Sequence, residues 1–231
     1  MSPEFETLYH RHILTSFEKQ LRLADVVGGR SWSFSMDDGL LTFEDDGKAE
    51  PIAFTVQLLG TAADHDSTWL WSWANAASQI PPPLTQDAQH LRGSDAAPEF
   101  ATSTFVLDLD NADDHRMALT STGLLTADAY YRGPYNGGAA FFLLRDERLR
   151  LPPPEGARSI TTISQAISSL AIVDHRAAIT AYFNARGFQP RADGDKAVVA
   201  TMAGGELRVE FDMQGRLADL RGTLRPPGNA A

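Results

Sequence analysis

Side chains able to do chemistry gather in a few short stretches of this 231-residue chain. Asp64-His65-Asp66 and Asp113-Asp114-His115 carry the donor types of a metal site. The first also reads as a solvated loop and the second as a helix N-terminus, where acids are favoured by the helix dipole. Nothing in the spacing pins both into one ligand set. Asp108-Leu109-Asp110-Asn111-Ala112-Asp113 opens like a calcium loop. Its fifth position is Ala112, its sixth is Asp113 instead of glycine, and its twelfth is Leu119 instead of glutamate, so the pattern fails. Neither a metal nor a cofactor is expected.

Nucleophile chemistry fares no better. Gly29-Arg30-Ser31-Trp32-Ser33 lacks the closing glycine of a nucleophile elbow and the strand-to-helix turn that would expose the serine. His10 and His12 sit two apart on a helical pattern and splay, which predicts surface or edge-of-core histidines. His175 directly follows a capping Asp174 and is expected to face solvent. Zinc-protease, dinucleotide and kinase signatures do not occur. Triads assemble in space, so the sequence leaves catalysis open.

Two stretches have the composition of contact surfaces. Tyr130-Tyr131-Arg132-Gly133-Pro134-Tyr135-Asn136-Gly137-Gly138 reads as a hairpin with a long turn over 133–138. Arginine can fork onto a carboxylate, glycines allow close approach, and tyrosine with arginine is enriched at interface hot spots. Tyr130, Tyr131, Arg132, Tyr135 and Asn136 are therefore candidate partner- or ligand-binding residues. The alternative is a glycine-rich turn with two packed tyrosines. With no Gly-Lys-Ser/Thr ending and no helix after it, the stretch is not a phosphate loop. Trp69, Trp71 and Trp73 alternate, which puts all three on one face of a strand. They form either the packed face beneath the first helix or a stacking platform for a sugar, a base or a partner side chain. Asn75 is expected to cap the turn that follows.

The elements that position these residues follow from periodicity. Phe5, Leu8, Tyr9, Ile13, Phe17, Leu21 and Ala24 predict a first helix with Ser2 as N-cap, Pro3 at N1 and Gly28-Gly29 as stop. Residues 31–75 read as a four-stranded antiparallel meander, turned at Asp37-Asp38-Gly39 and Asp45-Asp46-Gly47. Pro81-Pro82-Pro83 leads into a short helix closed by Gly93, Ser94 to Phe100 reads as loop, and Asp110 can cap a helix through Met117 to Gly123. Leu151 to Gly156 is a stiff Pro-rich connector. Beyond it come helices over Ser159–Leu170 and from Asp174 to Gly187, then a second meander turned at Asp193-Gly194, Gly204-Gly205 and Gln214-Gly215. The expected class is α+β: an N-terminal helix on an antiparallel meander over residues 1–150, then a two-helix-plus-meander unit over 157–225.

Composition bounds the partners. The formal net charge is −10, the hydrophobic fraction 43% and the charged fraction 22%, with no cysteine. Disulfides, thiol nucleophiles and cysteine-bound zinc are excluded. Lysine and arginine are scattered singly among acids, so nucleic acid and anionic membrane are not expected partners. The N-terminus lacks a secretory pattern, and the longest apolar run, Ala139 to Leu144, is far short of the ~20 residues of a membrane helix. A cytoplasmic protein is the expectation.

Phe54-x-x-Gln57-Leu58-Leu59-Gly60-Thr61, Thr68-Trp69-Leu70-Trp71-Ser72-Trp73-Ala74-Asn75, and Ala129-Tyr130-Tyr131-Arg132-Gly133-Pro134-Tyr135 with Phe141-Phe142-Leu143-Leu144 together resemble an uncharacterised bacterial family. It is a domain of unknown function with a Trp-x-Trp-Ala-Asn core and a Tyr-Tyr-Arg-Gly-Pro hairpin, and the resemblance spans roughly residues 5–215. It implies no activity and no catalytic residues. Charge and the hairpin together point to a non-enzymatic protein-interaction module of immunity or regulatory type, its partner a protein such as a basic toxin domain. The alternative is a small-ligand-binding domain or unrecognised enzyme with a pocket between the tryptophan sheet and the 128–144 hairpin. A structural component without ligand is the third reading.

Overall fold

The computed structural model describes residues 1–108, 113–202 and 205–224. The first helix, α1 (Pro3–Val27), starts where the Ser2 hydroxyl accepts from the Phe5 N–H at 3.1 Å. It stops at Gly28, whose φ of 57° favours glycine. Its buried residues are Phe5, Tyr9, Ile13, Leu14, Ser16, Glu18, Leu23 and Val27, which is wider than one stripe. Leu8, Phe17 and Leu21 are half-buried and Ala24 is exposed, against expectation. The reason is that α1 is packed from several directions: by α4 (Asp113–Leu124), by β6 (Ala129–Tyr135), and by α5 (Gly156–Ser169) and α6 (His175–Ala185).

The expected meander forms from β1 (Ser31–Ser35), β2 (Leu40–Glu44), β3 (Ile52–Ala63) and β4 (Thr68–Trp71), all antiparallel neighbours. The fourth strand ends earlier than predicted, because Ser72–Ala74 winds into a turn of 3-10 helix that carries Trp73 off the strand. The twelve-residue β3 is the hub. Its first four residues pair with β2, its last four with β4, and Val56–Ala63 with β7 (Gly138–Leu144), with a register shift between Leu58 and Gly60. Downstream lie α2 (Gln86–Arg92) and α3 (Pro98–Ala101). The helix α3 falls in the stretch expected to be loop, with Pro98 at its first position. Then β5 (Thr104–Val106) pairs with β4. The proposed cap Asp110 and most of the calcium-like run lie outside the described residues.

The sheet is apolar on both faces. On one, Trp69, Trp71 and Phe141 pack under α1 with Phe5, Tyr9 and Phe100. On the other, Leu41, Phe43, Phe54, Phe142 and Leu144 form a second core. There β1 folds over the β6–β7 hairpin, with Trp32 5.6 Å from Tyr131 and Phe34 4.6 Å from Phe142 between ring centroids. The outer edge of β6 is covered. The Gln20 amide of α1, turned so that its nitrogen faces the strand, donates to Tyr130 O at 2.7 Å and accepts from Tyr130 N at 3.0 Å. Two pairs along, Pro134 offers that edge no N–H.

In the second unit α5 and α6 cover one face of a four-stranded antiparallel sheet ordered β11 (Leu217–Leu224), β10 (Gly205–Phe211), β9 (Ala197–Met202), β8 (Gln189–Asp193). Asp174 caps α6 as expected, accepting from Ala177 N at 2.8 Å. His175 does not face solvent: it is half-buried, and its Nδ1 accepts from the Leu217 N–H at 2.9 Å. The turn residue Gly204 lies outside the described residues. Among the described residues, no helix is long and apolar enough to cross a membrane.

A buried charge pair ties α1 to this unit. Glu18 is 2% exposed, with Arg186 Nε 2.8 Å from its carboxylate. That N–H points off the oxygen, so the attraction is coulombic and not a hydrogen bond. The Tyr182 hydroxyl lies 3.1 Å from both Glu18 and Ser159. Burial first and the Glu18 charge second push the Tyr182 pKa up to about 12. Burial likewise raises the Glu18 pKa, against the lowering pull of Arg186. Nearby, His10 Nε2 accepts from the N–H groups of Val173 and Asp174, each at 3.3 Å.

Three half-buried histidines make the fold acid-sensitive. Burial lowers His12 to about 4, and lowers His10 and His115 below their usual 6.5. A base whose folded pKa is depressed adds no pH dependence above 6.5, and below it the unfolded chain binds the proton more tightly. Melting temperature is expected to fall from pH 6.5 towards 4, and to fall less in His12→Gln, as read by thermal melts across that range. A second expectation concerns Gly123 on α4, where a Cβ would overlap the Cβ and ring of His12. Gly123→Ala should lower stability by about 1–3 kcal/mol in urea unfolding.

Candidate functional site

The hairpin that carries the tyrosines is tighter than its sequence suggests. Strand β6 runs through Gly133 and Pro134 to Tyr135, and β7 begins at Gly138, leaving a two-residue turn of Asn136 and Gly137. Gly137 has a φ of 92°, which suits glycine. The expected long turn over 133–138 is thus replaced by paired strands. The glycines in those strands serve close packing: a Cβ on Gly133 would lie 2.8 Å from the Trp32 ring, and one on Gly138 would overlap the Ala62 carbonyl oxygen.

The candidate residues separate to two sides of this hairpin. Tyr130 is buried against Phe141, their rings 6.2 Å apart and near-parallel, and its hydroxyl lies 2.6 Å from His115 Nδ1. Burial raises the Tyr130 pKa and lowers that of His115, so both are neutral near pH 7 and share one hydrogen bond whose direction follows the imidazole tautomer. Tyr131 points to the other face, edge-on to Phe43 at 4.9 Å. Arg132 does not reach outward for a partner carboxylate: its Nε donates to Asp114 at 3.1 Å, and that aspartate is 7% exposed. Tyr135, 49% exposed, and Asn136 remain open to solvent.

The tryptophans are scaffold. Trp69 and Trp71 are wholly buried, 5.3 Å apart and edge-on, and Trp71 Nε1 donates to Glu99 O at 2.9 Å. Trp73, off the strand, is half-buried with the Arg92 guanidinium 4.3 Å over its ring. An open stacking platform is therefore absent at these positions. Asn75 caps the next turn as expected, accepting from Ser78 N at 3.2 Å.

The acids at the start of α4 are held by arginines. Asp113 is paired with Arg116 at 2.8 Å, Asp114 with Arg132, and Arg116 also contacts Glu6 of α1. The Tyr9 ring lies 4.5 Å beneath the Arg116 guanidinium. This cluster locks α4 to α1 and to the hairpin.

An open concavity lies beside the hairpin, on the face opposite Trp69 and Trp71. It has a volume of about 340 Å³ and is lined chiefly by Phe34, Met36, Leu58, Ile80, Tyr135 and Phe142. Met36 belongs to the turn that carries the exposed acids Asp37 and Asp38. At the hairpin tip, Asp64 N donates to Gly137 O at 3.0 Å, which brings the exposed Asp64-His65-Asp66 turn alongside. An apolar groove is thus flanked by two acidic turns. Met36 continues the alternation of Trp32 and Phe34, and the signal of its different role is its place at the turn.

The pairing of Arg132 reverses the expectation that it is a free contact residue. Arg132→Ala leaves the buried Asp114 without its cation and should cost about 1–3 kcal/mol, since Arg132 itself is only one-third exposed. Tyr135→Ala should leave the melting temperature within about a degree of wild type, as surface changes usually do. Calorimetry on both variants checks the contrast.

Comparison with curated proteins and with solved structures finds no match to this chain. A match to a protein family covers residues 6–147, from the first turn of α1 to just past β7, and it leaves the second unit outside. By that match the chain belongs to the family of unknown function DUF6882.

Proposed function

We propose that this chain is a non-enzymatic protein-interaction module of the bacterial cytoplasm, of immunity or regulatory type, whose groove beside the β6–β7 hairpin takes an apolar side chain of a basic partner. The observation that carries the reading is the flanking of that groove by acids. Met36 and Tyr135 are 36% and 49% exposed at its mouth. Asp37, Asp38, Asp64 and Asp66 stand exposed on the two adjoining turns. Methionine and tyrosine are enriched in interface cores, and a ring of one charge sign selects the opposite sign and speeds encounter. The net charge of −10 adds a long-range field of the same sign. A basic toxin domain is a partner of this chemistry.

The volume of the groove supports a second reading, a small apolar ligand, since it falls at the low end of the roughly 300–1,000 Å³ of ligand pockets. The two readings differ in salt dependence. Partner capture at the acidic turns weakens as salt is raised, and an apolar ligand in the groove is indifferent to it.

Capture from extract of the source organism tests the first reading, with wild type, Tyr135→Ala and Met36→Ser as baits of matched melting temperature. A single stoichiometric protein, held by wild type, released by salt and reduced at least tenfold on both variants, is the expected result. A protein retained equally by all three baits, or no specific protein on any, overturns the reading. A thermal-shift gain with small apolar compounds that is lost in Met36→Ser would then establish the ligand alternative.

A further inference from the structure

The second sheet ends on β11, whose outer side pairs with no other strand among the described residues. Phe211 N donates to Lys196 O, so the odd-numbered residues of β10 turn their amides towards β9 and the even-numbered ones towards β11. Asp219, Arg221 and Thr223, opposite Glu210, Arg208 and Glu206, thus use their backbone groups on β10. Leu220 and Gly222 present theirs at the open edge. Past a bulge opposite Phe211 the strand contains no proline, and its two charges, Asp219 and Arg221, stand on one face.

The open face has a charge conflict. Register sets Arg208 opposite Arg221 and Glu210 opposite Asp219, and like charges directly across a ladder repel. Relief comes mainly along the strands: Arg208 pairs with Glu210 at 3.0 Å and Arg221 with Asp219 at 2.6 Å, while Arg208 also reaches Asp193.

We infer that β11 pairs antiparallel with β11 of a second copy, about a two-fold axis at Leu220. In that register Arg221 lies opposite Asp219 of the second copy, and Asp219 opposite Arg221 of the second copy. Each charged side chain on the edge strand then faces an opposite charge directly across the new ladder, where β10 sets a like one. Leu220, half-buried on the helix-covered face, meets its own counterpart there and extends the core across the axis. A slip of two residues sets Arg221 against Arg221, or Asp219 against Asp219. A slip of one turns the faces over. The register is thereby specified by charge, and the contact closes as a two-fold pair. A single edge falls short of the ~1,200 Å² of a stable interface, so the dimer dissociates on dilution.

Sedimentation velocity on the full chain, from low micromolar to near-millimolar concentration, tests the pairing. Wild type is expected to associate reversibly to a dimer. Arg221→Asp sets two aspartates against each other and should raise the dimer Kd at least tenfold. The same change loses the exposed pair with Asp219 and removes the repulsion with Arg208, so the melting temperature stays near the wild-type value while the dimer weakens. Simple destabilisation cannot produce that combination. The double variant Asp219→Arg/Arg221→Asp should return the Kd to near the wild-type value. A wild type monomeric throughout, a dimer indifferent to Arg221→Asp, or a double variant no better than the single would each overturn the inference.

Discussion

One strand carries the first sheet. β3 serves three neighbours, β2 along its first third, β4 along its end and β7 over eight residues, and those neighbours crowd it where it is shared. A Cβ at Gly60 would lie 2.7 Å from the Leu70 carbonyl oxygen and 2.9 Å from the Trp69 ring. On the other flank, Gly138 admits the Ala62 carbonyl. Backbone must come this close for both ladders to form at once, and only glycine permits it. The tryptophans then fill the space above, so Trp69, Trp71 and Phe141 follow from the approach as much as they enforce it. The groove and the hairpin tip inherit their positions from the same strand, because Leu58 lines one and Asp64, just past the strand, holds the other.

The second constraint is α1, which packs against α3, α4, α5, α6 and β6. Its middle turn meets α4 at His12, its acids meet Arg116 and Arg186, and its last turns close the second core with Leu23 and Val27. Charges inside a protein are costly unless paired. Asp113 pairs with Arg116 within α4, and the other two buried carboxylates are matched by arginines from distant elements: Asp114 by Arg132, Glu18 by Arg186. These pairs specify which elements lie together more than they add stability. The family match, ending at residue 147, covers the elements on one side of α1 and leaves those that hold Glu18 outside.

Local signals were legible in the sequence. Ser2 with Pro3, Asp174 and the Asp-Gly turns placed the helix starts and the meanders, because caps and turns depend on a few adjacent residues. What periodicity could not supply was the neighbour. Alternation put Trp73 on a strand, yet the chain turns at Ser72–Ala74, past the Gly60–Trp71 pair and beside the register shift of β3. Met36 continues the alternation of Trp32 and Phe34, yet it projects from a turn. Arg132 was read as free because its partner lies on α4, on a different element altogether. His175 was read as solvated because the N–H it accepts belongs to Leu217, 42 residues on. The asparagine-glycine turn was there to be read, but the glycines around it, which serve tight packing, masked where the strands end.

The amide of Gln20 over the edge of β6 has a consequence for synthesis. The helix leaves the ribosome before the strand whose edge it covers, which is made about 110 residues later. Until β6 docks, α1 carries apolar flanks without a sheet, and the long β3 lacks the partner made last. A nascent chain halted between β5 and β7 therefore exposes a strand able to pair with the wrong neighbour. Slow codons or chaperone contact would matter most in that interval, before the hairpin closes.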